Sequence, residues 1–367
     1  MSEKNKILFY ISSLMGGGAE RVLVTLANEL VKQKKSVYIV TYNQGDPDYI
    51  ISSDIKRINV FNGKEPKQTN SVTSKIKRCI WKFRRIREIS KSISPDVIIS
   101  FITNVNNDVI FSHIGSKIPI IVCEHTNVLR SYSRKTTIYR KLLYPFASAI
   151  TVLTRHDYNI WKNKYKQVVY MPNPISVDEK YNGLSERKKV VLAAGTVSSW
   201  RIKGFDNLLR SWGLICNKYP DWKLCIAGKK DEQSMKYLKE IANENNCINV
   251  DFLGFRKDIF DLMSSSAVFC LSSRTEGLPM VLIEAMHLSC CCVAFDCTTG
   301  PREIIRKDSG LLAKNQDILD LSRKLETVIK DDSLREYFAI NSPNSVKNYS
   351  LERIMIRWQI LLEKIYN

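Results

Sequence analysis

Two carboxylates, Glu276 and Glu284, lie eight residues apart, and Gly277-Leu278-Pro279 follows the first of them. Proline suits the first turn of a helix, where its missing N–H costs nothing, so a helix should begin near Pro279 and carry Glu284 just over one turn later. The free N–H groups of a helix start bind anions, and carboxylates accept hydrogen bonds from hydroxyls. The segment therefore predicts a site for a ligand with hydroxyls on both sides of a diphosphate, the composition of a sugar nucleotide.

A loop that contains Arg201 and Lys203 predicts a second contact with the same diphosphate. It follows a strand-like run over residues 190–194. Cations placed after the end of a strand neutralise the charge of a bound diphosphate, and the loop leaves room for it. An exposed basic turn without a ligand is the alternative interpretation.

The N-terminal half contributes a glycine-rich turn and a histidine. Gly16-Gly17-Gly18 follows the first apolar run, so the backbone there can approach a ligand closely. The turn lacks the G-x-G-x-x-G spacing, and no acidic residue ends the second strand, which argues against an NAD site. His125 follows another strand-like run, at the strand end where α/β proteins place their ligands. A structural turn and a structural histidine are the alternatives.

Strand-like and helical runs alternate along both halves, which predicts an α/β fold with parallel, doubly wound sheets. A polar stretch near residues 172–189 divides them, so we expect one domain over residues 1–175 and another over residues 176–350. The last helix, about residues 351–367, is predicted to be amphipathic. The expected strands are Ile7–Ser12, Ser36–Tyr42, Val97–Phe101, Ile118–Cys123, Ala149–Leu153, Val168–Met171, Val190–Ala194, Lys223–Ala227, Asn249–Leu253, Val268–Leu271 and Cys291–Phe295.

Composition limits the compartment and the partners. The ten cysteines contain no C-x2-C pair, so we expect buried free thiols in a reducing cytoplasm. We expect neither a signal peptide nor a transmembrane helix. Residues 1–175 carry 28 Lys and Arg against 12 Asp and Glu, whereas residues 176–367 carry 28 against 25. The N-terminal half therefore has a polyanionic partner: nucleic acid, an anionic membrane face or a diphosphate-linked lipid.

A basic helix predicted over residues 75–91 produces much of this asymmetry, with eight Lys and Arg against Glu88. Helical periodicity places Ile76, Cys79, Ile80, Phe83 and Ile86 on one packed stripe and leaves a tryptophan among cations on the other side. That combination suits the headgroup layer of an anionic membrane or a lipid diphosphate, and a solvated surface helix is the alternative. The residues predicted to make this contact are Lys77, Trp81, Arg84 and Arg85, and a second basic segment with Arg130, Arg134, Lys135, Arg140 and Lys141 could extend it.

These segments together resemble a known family. Glu276–Glu284 resembles the E-x7-E motif of retaining, family-4-type glycosyltransferases, and Gly16–Arg21, Glu124–Asn127 and Lys203-Gly204 resemble its other loops. The resemblance implies the GT-B fold, with two Rossmann-like domains that face each other across a cleft and a final helix that crosses back to the first domain. It assigns His125 and Glu276 to catalysis. It assigns donor binding to Gly17, Gly18, Arg201, Lys203, Gly277, Leu278, Pro279 and Glu284. Thr196 stands where the family commonly has an arginine, and Arg201 is the candidate replacement.

The glycine-rich loop, the turn at His125 and the basic helix together look most like bacterial N-acetylgalactosaminyltransferases that act on polyprenyl-diphosphate-linked oligosaccharides. The resemblance implies transfer of an N-acetylhexosamine from a UDP donor at the cytoplasmic membrane face, with retention of configuration and without a cofactor. Asp46-Pro47-Asp48 has the form of a metal-binding D-x-D motif, but we interpret it as a turn and expect no metal site. The alternatives are an epimerase or phosphorylase of the same fold, or a basic nucleic-acid-binding protein.

Overall fold

The computed structural model describes residues 5–15, 17–43, 45, 47, 49–67, 69–127, 132–177 and 187–366. The chain forms two compact units. The first comprises Met1–Asn173 together with Glu352–Asn367, and the second comprises Pro174–Leu351. The predicted D-x-D turn, with Asp46 and Asp48, lies outside the described residues, as do Gly16 and Arg130.

The first unit is built on a seven-stranded parallel sheet with the order β3-β2-β1-β4-β5-β6-β7. Its central strands are continuous apolar runs, as expected for a parallel sheet covered on both faces. The strands are β1 (Lys6–Ile11), β2 (Ser36–Thr41), β3 (Lys56–Asn59), β4 (Val97–Phe101), β5 (Ile120–Cys123), β6 (Ala149–Val152) and β7 (Val168–Tyr170). The helices are α1 (Gly18–Lys32), α2 (Val72–Ile93), α3 (Thr103–Ser112), α4 (Arg134–Leu143) and α5 (Arg155–Trp161).

The second unit has a six-stranded parallel sheet with the order β10-β9-β8-β11-β12-β13. The strands are β8 (Lys188–Ala194), β9 (Lys223–Ala227), β10 (Val250–Gly254), β11 (Ser266–Leu271), β12 (Cys291–Asp296) and β13 (Gly310–Lys314). The helices are α6 (Trp200–Lys203), α7 (Phe205–Gly213), α8 (Glu232–Glu244), α9 (Ile259–Ser265), α10 (Met280–His287), α11 (Pro301–Ile304), α12 (Ile318–Lys330) and α13 (Asp332–Val346).

The last helix, α14 (Leu351–Tyr366), belongs almost entirely to the first unit although it follows the second in sequence. Its apolar side is buried, including Ile354, Trp358 and Leu361. Every helix among the described residues is too short or too polar to span a lipid bilayer. All ten cysteines are free thiols, and eight of them are buried.

The apolar stripe predicted for α2 packs inward only in the C-terminal half of the helix. Ile86 is buried, but Ile76 and Ile80 are 53% and 46% exposed. Trp81, predicted to lie on a free cationic face, instead packs against the core and stacks on Phe61 with ring centroids 5.9 Å apart. The predicted face was wrong because Phe61, which follows β3, supplies an aromatic surface that the periodicity of α2 alone does not reveal.

Candidate active site

Each sheet has one point at which its strand order reverses, and the loops with Gly17, Lys203 and Glu276 follow strands at these points, whereas His125 follows β5. In the second unit, β8 leads to β9 and β10 on one side, while β11, on its other side, leads to β12 and β13. In the first unit the corresponding neighbours are β1 and β4. Ligands of doubly wound sheets bind outside the carboxyl ends of the strands at such points. The loops after β8, β11, β1 and β4 are therefore the candidate binding loops.

Lys203 and Glu276, predicted from separate motifs, meet in the second unit. The Lys203 Nζ atom donates to the Glu276 Oε1 atom over 2.8 Å, and the Ser273 hydroxyl donates to the same oxygen over 2.6 Å. The two side chains are only 24% and 11% exposed, so solvent screens this ion pair little. A cation and a hydrogen-bond acceptor are thereby fixed side by side at one end of the sheet.

The position of Lys203 depends on two glycines. Gly204 has φ +64°, and a Cβ atom there would lie 1.9 Å from the Ser272 carbonyl oxygen, so only glycine allows this close approach. The Ser272 hydroxyl also donates to the Lys203 carbonyl oxygen over 2.9 Å. The lysine stem lies against Gly195, where a Cβ atom would come within 3.2 Å of two of its methylene carbons. The backbone thus aligns the lysine toward Glu276.

An arginine–aspartate clamp joins the same two loops. Arg274 donates to both carboxylate oxygens of Asp206 over 2.7 Å and to the Arg201 carbonyl oxygen over 2.6 Å. The bidentate pair raises the pKa of Arg274. Bidentate arginine–carboxylate pairs fix geometry as well as charge. Sequence reasoning missed this clamp, because Asp206 and Arg274 are 68 residues apart in the chain.

Glu284 is buried on α10, at 1% exposure, and Leu278 and Pro279 are buried in the turn before the helix. Pro279 is the cap residue of α10, so the helix begins at Met280, close to the expected start. Gly300 packs on this turn, since a Cβ atom there would lie 2.4 Å from the Pro279 Cδ atom and 3.3 Å from the Gly277 carbonyl oxygen. Close packing against Gly300 therefore holds in place the turn that follows Glu276 and the helix start after it.

Arg201 is exposed, and its guanidinium lies over the Trp200 ring, 4.4 Å from the centroid. Trp200 in turn stacks on Tyr237 of α8. The Arg201 guanidinium therefore packs on Trp200, whereas the ammonium of its neighbour Lys203 contacts Glu276.

In the first unit, the glycine-rich turn leads into α1 with Gly17 as the cap residue. The Glu20 carboxylate folds over Gly17, so closely that a Cβ atom at Gly17 would lie 2.0 Å from an oxygen of Glu20. Burial raises the pKa of Glu20. Gly18 has open space around its Cα atom. The sequence places Glu20 in the first turn of α1 but does not indicate that its carboxylate folds back over Gly17.

His125 lies after β5 and stacks on Phe101 of β4, with ring centroids 4.7 Å apart. Its Nδ1 atom is buried and has no hydrogen-bond partner among the described residues. Burial lowers the pKa of His125 to about 3. The imidazole is therefore neutral at physiological pH, and its enclosed Nδ1 atom is held between neighbouring side chains such as Phe101.

Glu124, next to His125, is the centre of a buried hydrogen-bond network. It accepts from the Tyr144 hydroxyl and, over 2.8 Å, from the Thr103 hydroxyl. The Thr103 hydroxyl also lies 2.9 Å from the Tyr132 hydroxyl. Burial raises the pKa of Glu124. The network ties β5 to α3 and to both ends of α4, and it fixes the strand end that carries His125.

The cations predicted to bind the membrane from α2 differ in their exposure to solvent. Lys77 and Arg84 are exposed, whereas Arg85 is partly buried, with its Nε atom enclosed. Three other basic residues of the helix line a pocket beside Phe61: Lys75, Arg78 and Lys82. The Arg78 guanidinium lies 4.9 Å from the Phe61 ring centroid.

Two family profiles match the chain, one for each unit. The profile described as Glycosyltransferase Family 4 matches residues 16–179, and the profile described as Glycosyl transferases group 1 matches residues 175–345. The chain is a glycosyltransferase. Its two Rossmann-like units, each built on a parallel sheet, are the two domains of a GT-B fold.

Related proteins match this enzyme over nearly all of its sequence. The GalNAc-alpha-(1->4)-GalNAc-alpha-(1->3)-diNAcBac-PP-undecaprenol alpha-1,4-N-acetyl-D-galactosaminyltransferase of Campylobacter jejuni is 29% identical over 372 residues, 99% of each protein. The amylovoran biosynthesis glycosyltransferase AmsD of Erwinia amylovora is 29% identical over 369 residues, 97% of this chain and 99% of that one. The structure of Anabaena HepE in complex with UDP and glucose superposes with a TM-score of 0.77 at 16% identity, covering 98% of this enzyme and 100% of HepE.

Proposed function

We propose that this enzyme is a retaining glycosyltransferase that moves an N-acetylhexosamine from a UDP donor to a saccharide linked to a polyprenyl diphosphate. The reaction would occur at the cytoplasmic face of the membrane, with the enzyme bound peripherally, in the assembly of a surface polysaccharide or glycan. The acceptor class is supported by the substrate named for the Campylobacter jejuni relative. The UDP bound to HepE supports the donor nucleotide.

The observation that carries the transfer chemistry is the contact between Lys203 and Glu276 beside the start of α10. In this proposal the Lys203 ammonium neutralises the donor diphosphate, Arg201 assists, and the amides of Gly277 and Leu278 face the donor. Glu276 accepts hydrogen bonds from hydroxyls of the transferred sugar, while Glu284 accepts from the ribose. Catalysis is then mainly positioning and stabilisation of the departing diphosphate.

The proposed transfer breaks the bond between the sugar anomeric carbon and the diphosphate oxygen, and an acceptor hydroxyl attacks from the same face. The proton of that hydroxyl passes to the departing diphosphate. His125 contacts the sugar through a neutral ring nitrogen and stabilises the oxocarbenium-like charge, since burial lowers its pKa to about 3. Gly18, which has open space around its Cα atom, allows the donor phosphate and the acceptor to approach the backbone, and Gly17 takes part once the Glu20 carboxylate moves away.

A screen of UDP- and GDP-sugars against a polyprenyl-diphosphate-linked saccharide, with the products identified by mass spectrometry, tests the proposal. We expect one N-acetylhexosamine to be added from a UDP donor, with UDP released only when the acceptor is present. Release of UDP without any acceptor, or transfer only to acceptors that lack the lipid diphosphate, would contradict it. NMR of the new anomeric centre determines whether configuration is retained.

Replacing Glu284 should mainly weaken donor binding. Two lost charge-assisted hydrogen bonds to the ribose correspond to roughly 2–4 kcal/mol, so the Kd for UDP should rise by about 30-fold or more in Glu284→Ala. Isothermal titration with UDP measures this effect. Because Glu284 is buried, Glu284→Gln and a thermal melt of both variants separate binding from folding. Unchanged UDP affinity in a folded Glu284→Ala protein would contradict the proposal that Glu284 binds the ribose.

Activity should survive excess EDTA. The proposed diphosphate contacts are a lysine side chain and a helix start, which neutralise charge without a cation. Initial rates measured with EDTA, with and without added Mg²⁺ or Mn²⁺, check this expectation. Complete loss of turnover with rescue by either metal would show that the donor site needs an ion.

Charge reversal on the exposed side of α2 should weaken membrane binding. Lys77 and Arg84 are both exposed, and each cation near an anionic bilayer contributes about 1 kcal/mol, so Lys77→Glu with Arg84→Glu should lower liposome affinity by roughly 30-fold or more. Sedimentation with anionic liposomes measures the loss, which should shrink at high salt.

The matched control reverses two exposed lysines of the second unit, Lys236→Glu with Lys239→Glu, and should leave liposome binding unchanged. Trp81 and Arg85 are left intact because they pack inward. Equal loss of binding in both double variants would indicate that net charge, rather than α2, attracts the enzyme to the membrane.

A further inference from the structure

An apolar groove lies between α2, α3 and α4 of the first unit, and its volume is about 450 Å³. That volume lies within the range of about 300–1,000 Å³ typical of small-molecule sites. Its apolar walls come from all three helices: Phe83, Phe111, Tyr139, Leu142 and Leu143. The rings of Phe83 and Phe111 pack with centroids 4.6 Å apart. Aromatic and aliphatic walls of this kind suit a hydrocarbon ligand.

The walls remain open to solvent although they are apolar. Leu142 is 61% exposed and Phe111 is 49% exposed. Two further large apolar side chains of α2, Ile76 and Ile80, are also about half exposed. Exposed apolar side chains grouped around a groove are typical of a binding region.

Cationic and polar pockets continue the groove along α2. Cys79 and Lys82 line both the groove and a second pocket, which adds Lys75 and Arg78. Arg78 then lines a third pocket, of about 540 Å³, together with Met15 of the glycine-rich turn and with polar side chains such as Asn43 and Glu65. The adjoining pockets therefore change from apolar, through basic, to polar beside the glycine-rich turn.

We propose that the groove between α2, α3 and α4 binds the isoprenoid chain of the acceptor lipid. This inference rests on the proposed function, because that function supplies an acceptor with a hydrocarbon chain, a diphosphate and a saccharide in the same order as the pockets. The basic pocket between the groove and the glycine-rich turn matches the anionic junction of such a lipid. The Lys82 ammonium is already paired with Asp108 over 2.6 Å, but a neutral apolar peptide would supply no counter-charge for Lys75 and Arg78.

Two acceptors with the same diphosphate-linked saccharide, one with a long isoprenoid chain and one with a short water-soluble chain, test the groove. The variant Phe111→Gln with Leu142→Gln changes exposed walls, so the fold should tolerate it. We expect kcat/KM for the long-chain acceptor to fall by about tenfold or more, as loss of apolar burial implies, while kcat/KM for the short-chain acceptor stays unchanged. The matched control, Leu319→Gln with Ile340→Gln, replaces equally exposed apolar residues of the second unit and should behave as wild type.

A benzophenone-bearing isoprenoid diphosphate without a saccharide gives a readout that needs no turnover. It should label peptides of α3 and α4 in the wild type, and labelling should fall by about tenfold in Phe111→Gln with Leu142→Gln. Labelling without glycosyl transfer would refute the proposed function and keep the groove as a lipid site. Absence of labelling from α3 and α4 would overturn the groove assignment. Unchanged labelling with lost liposome binding would also overturn it, in favour of insertion of these side chains into the bilayer.

Discussion

Lys203→Ala should lower turnover by about a hundredfold or more, as loss of a charge contact with a departing group does. The reason is geometric: Lys203 is fixed by Gly204 and Gly195 with its ammonium group 2.8 Å from Glu276, so a neighbouring side chain does not replace it easily. Initial rates at saturating donor and acceptor measure the effect on kcat. UDP titration measures how much donor affinity is lost with it.

Two further variants separate the role of Lys203 in catalysis from its role in folding. Lys203→Ala leaves the largely enclosed Glu276 carboxylate without its cation, which is destabilising. Adding Glu276→Gln should restore thermal stability without restoring turnover. Arg201→Ala is the comparison within the same loop, and its effect should be smaller because the guanidinium lies on Trp200. Wild-type turnover in Lys203→Ala would refute the diphosphate assignment, and an equal loss in Arg201→Ala would add Arg201 to the essential contacts.

His125→Ala should also lower kcat by roughly a hundredfold, through loss of a contact with developing charge. Because burial lowers the pKa of His125 to about 3, the ring is neutral throughout the physiological range. The ratio of wild-type to variant kcat should therefore be the same at about pH 6 and pH 8. Rates of both proteins across this range provide the measurement. A ratio that falls steeply toward the acid side would show that the ring titrates during turnover and acts as a base.

The same lowered pKa has a predictable effect on folding. Below the ordinary histidine pKa of about 6.5, the unfolded chain binds a proton at position 125 that the folded protein does not bind. Folding stability should consequently fall as the pH falls from about 6.5 toward 3, and the fall should be smaller in His125→Asn. Chemical denaturation of both proteins at several pH values distinguishes this contribution from those of other groups.

The sequence predicted the central strands better than the edges of the sheets. Neither β3 nor β13 was predicted, and both lie at the edge of a sheet. Their sequences, Lys-Arg-Ile-Asn and Gly-Leu-Leu-Ala-Lys, mix polar and apolar residues because an edge strand is covered less completely than a central one. Central strands such as β4, Val-Ile-Ile-Ser-Phe, are almost entirely apolar and so are recognisable from composition alone.

The candidate site could be predicted where a short segment carries its own local geometry, as Glu276–Glu284 does. Contacts between segments that are far apart in the chain could not be predicted in this way. The Arg274–Asp206 clamp and the Glu124–Tyr144 contact join residues whose proximity depends on which strands become neighbours. Trp81 illustrates the same limit, since helical periodicity gives the faces of α2 but not which face meets Phe61.

The close approach of Gly204 to Ser272 also constrains how the second unit assembles. The two residues follow β8 and β11, which are neighbours in the sheet although β9 and β10 lie between them in the chain. A chain that ends before Ser272 lacks the backbone surface on which Gly204 packs, so we expect the Lys203 loop to become ordered, and to bind its ligand, only late in synthesis. Since a ligand that binds only the native state shifts the folding equilibrium toward it, the nucleotide sugar itself would act as a stabiliser of newly completed molecules.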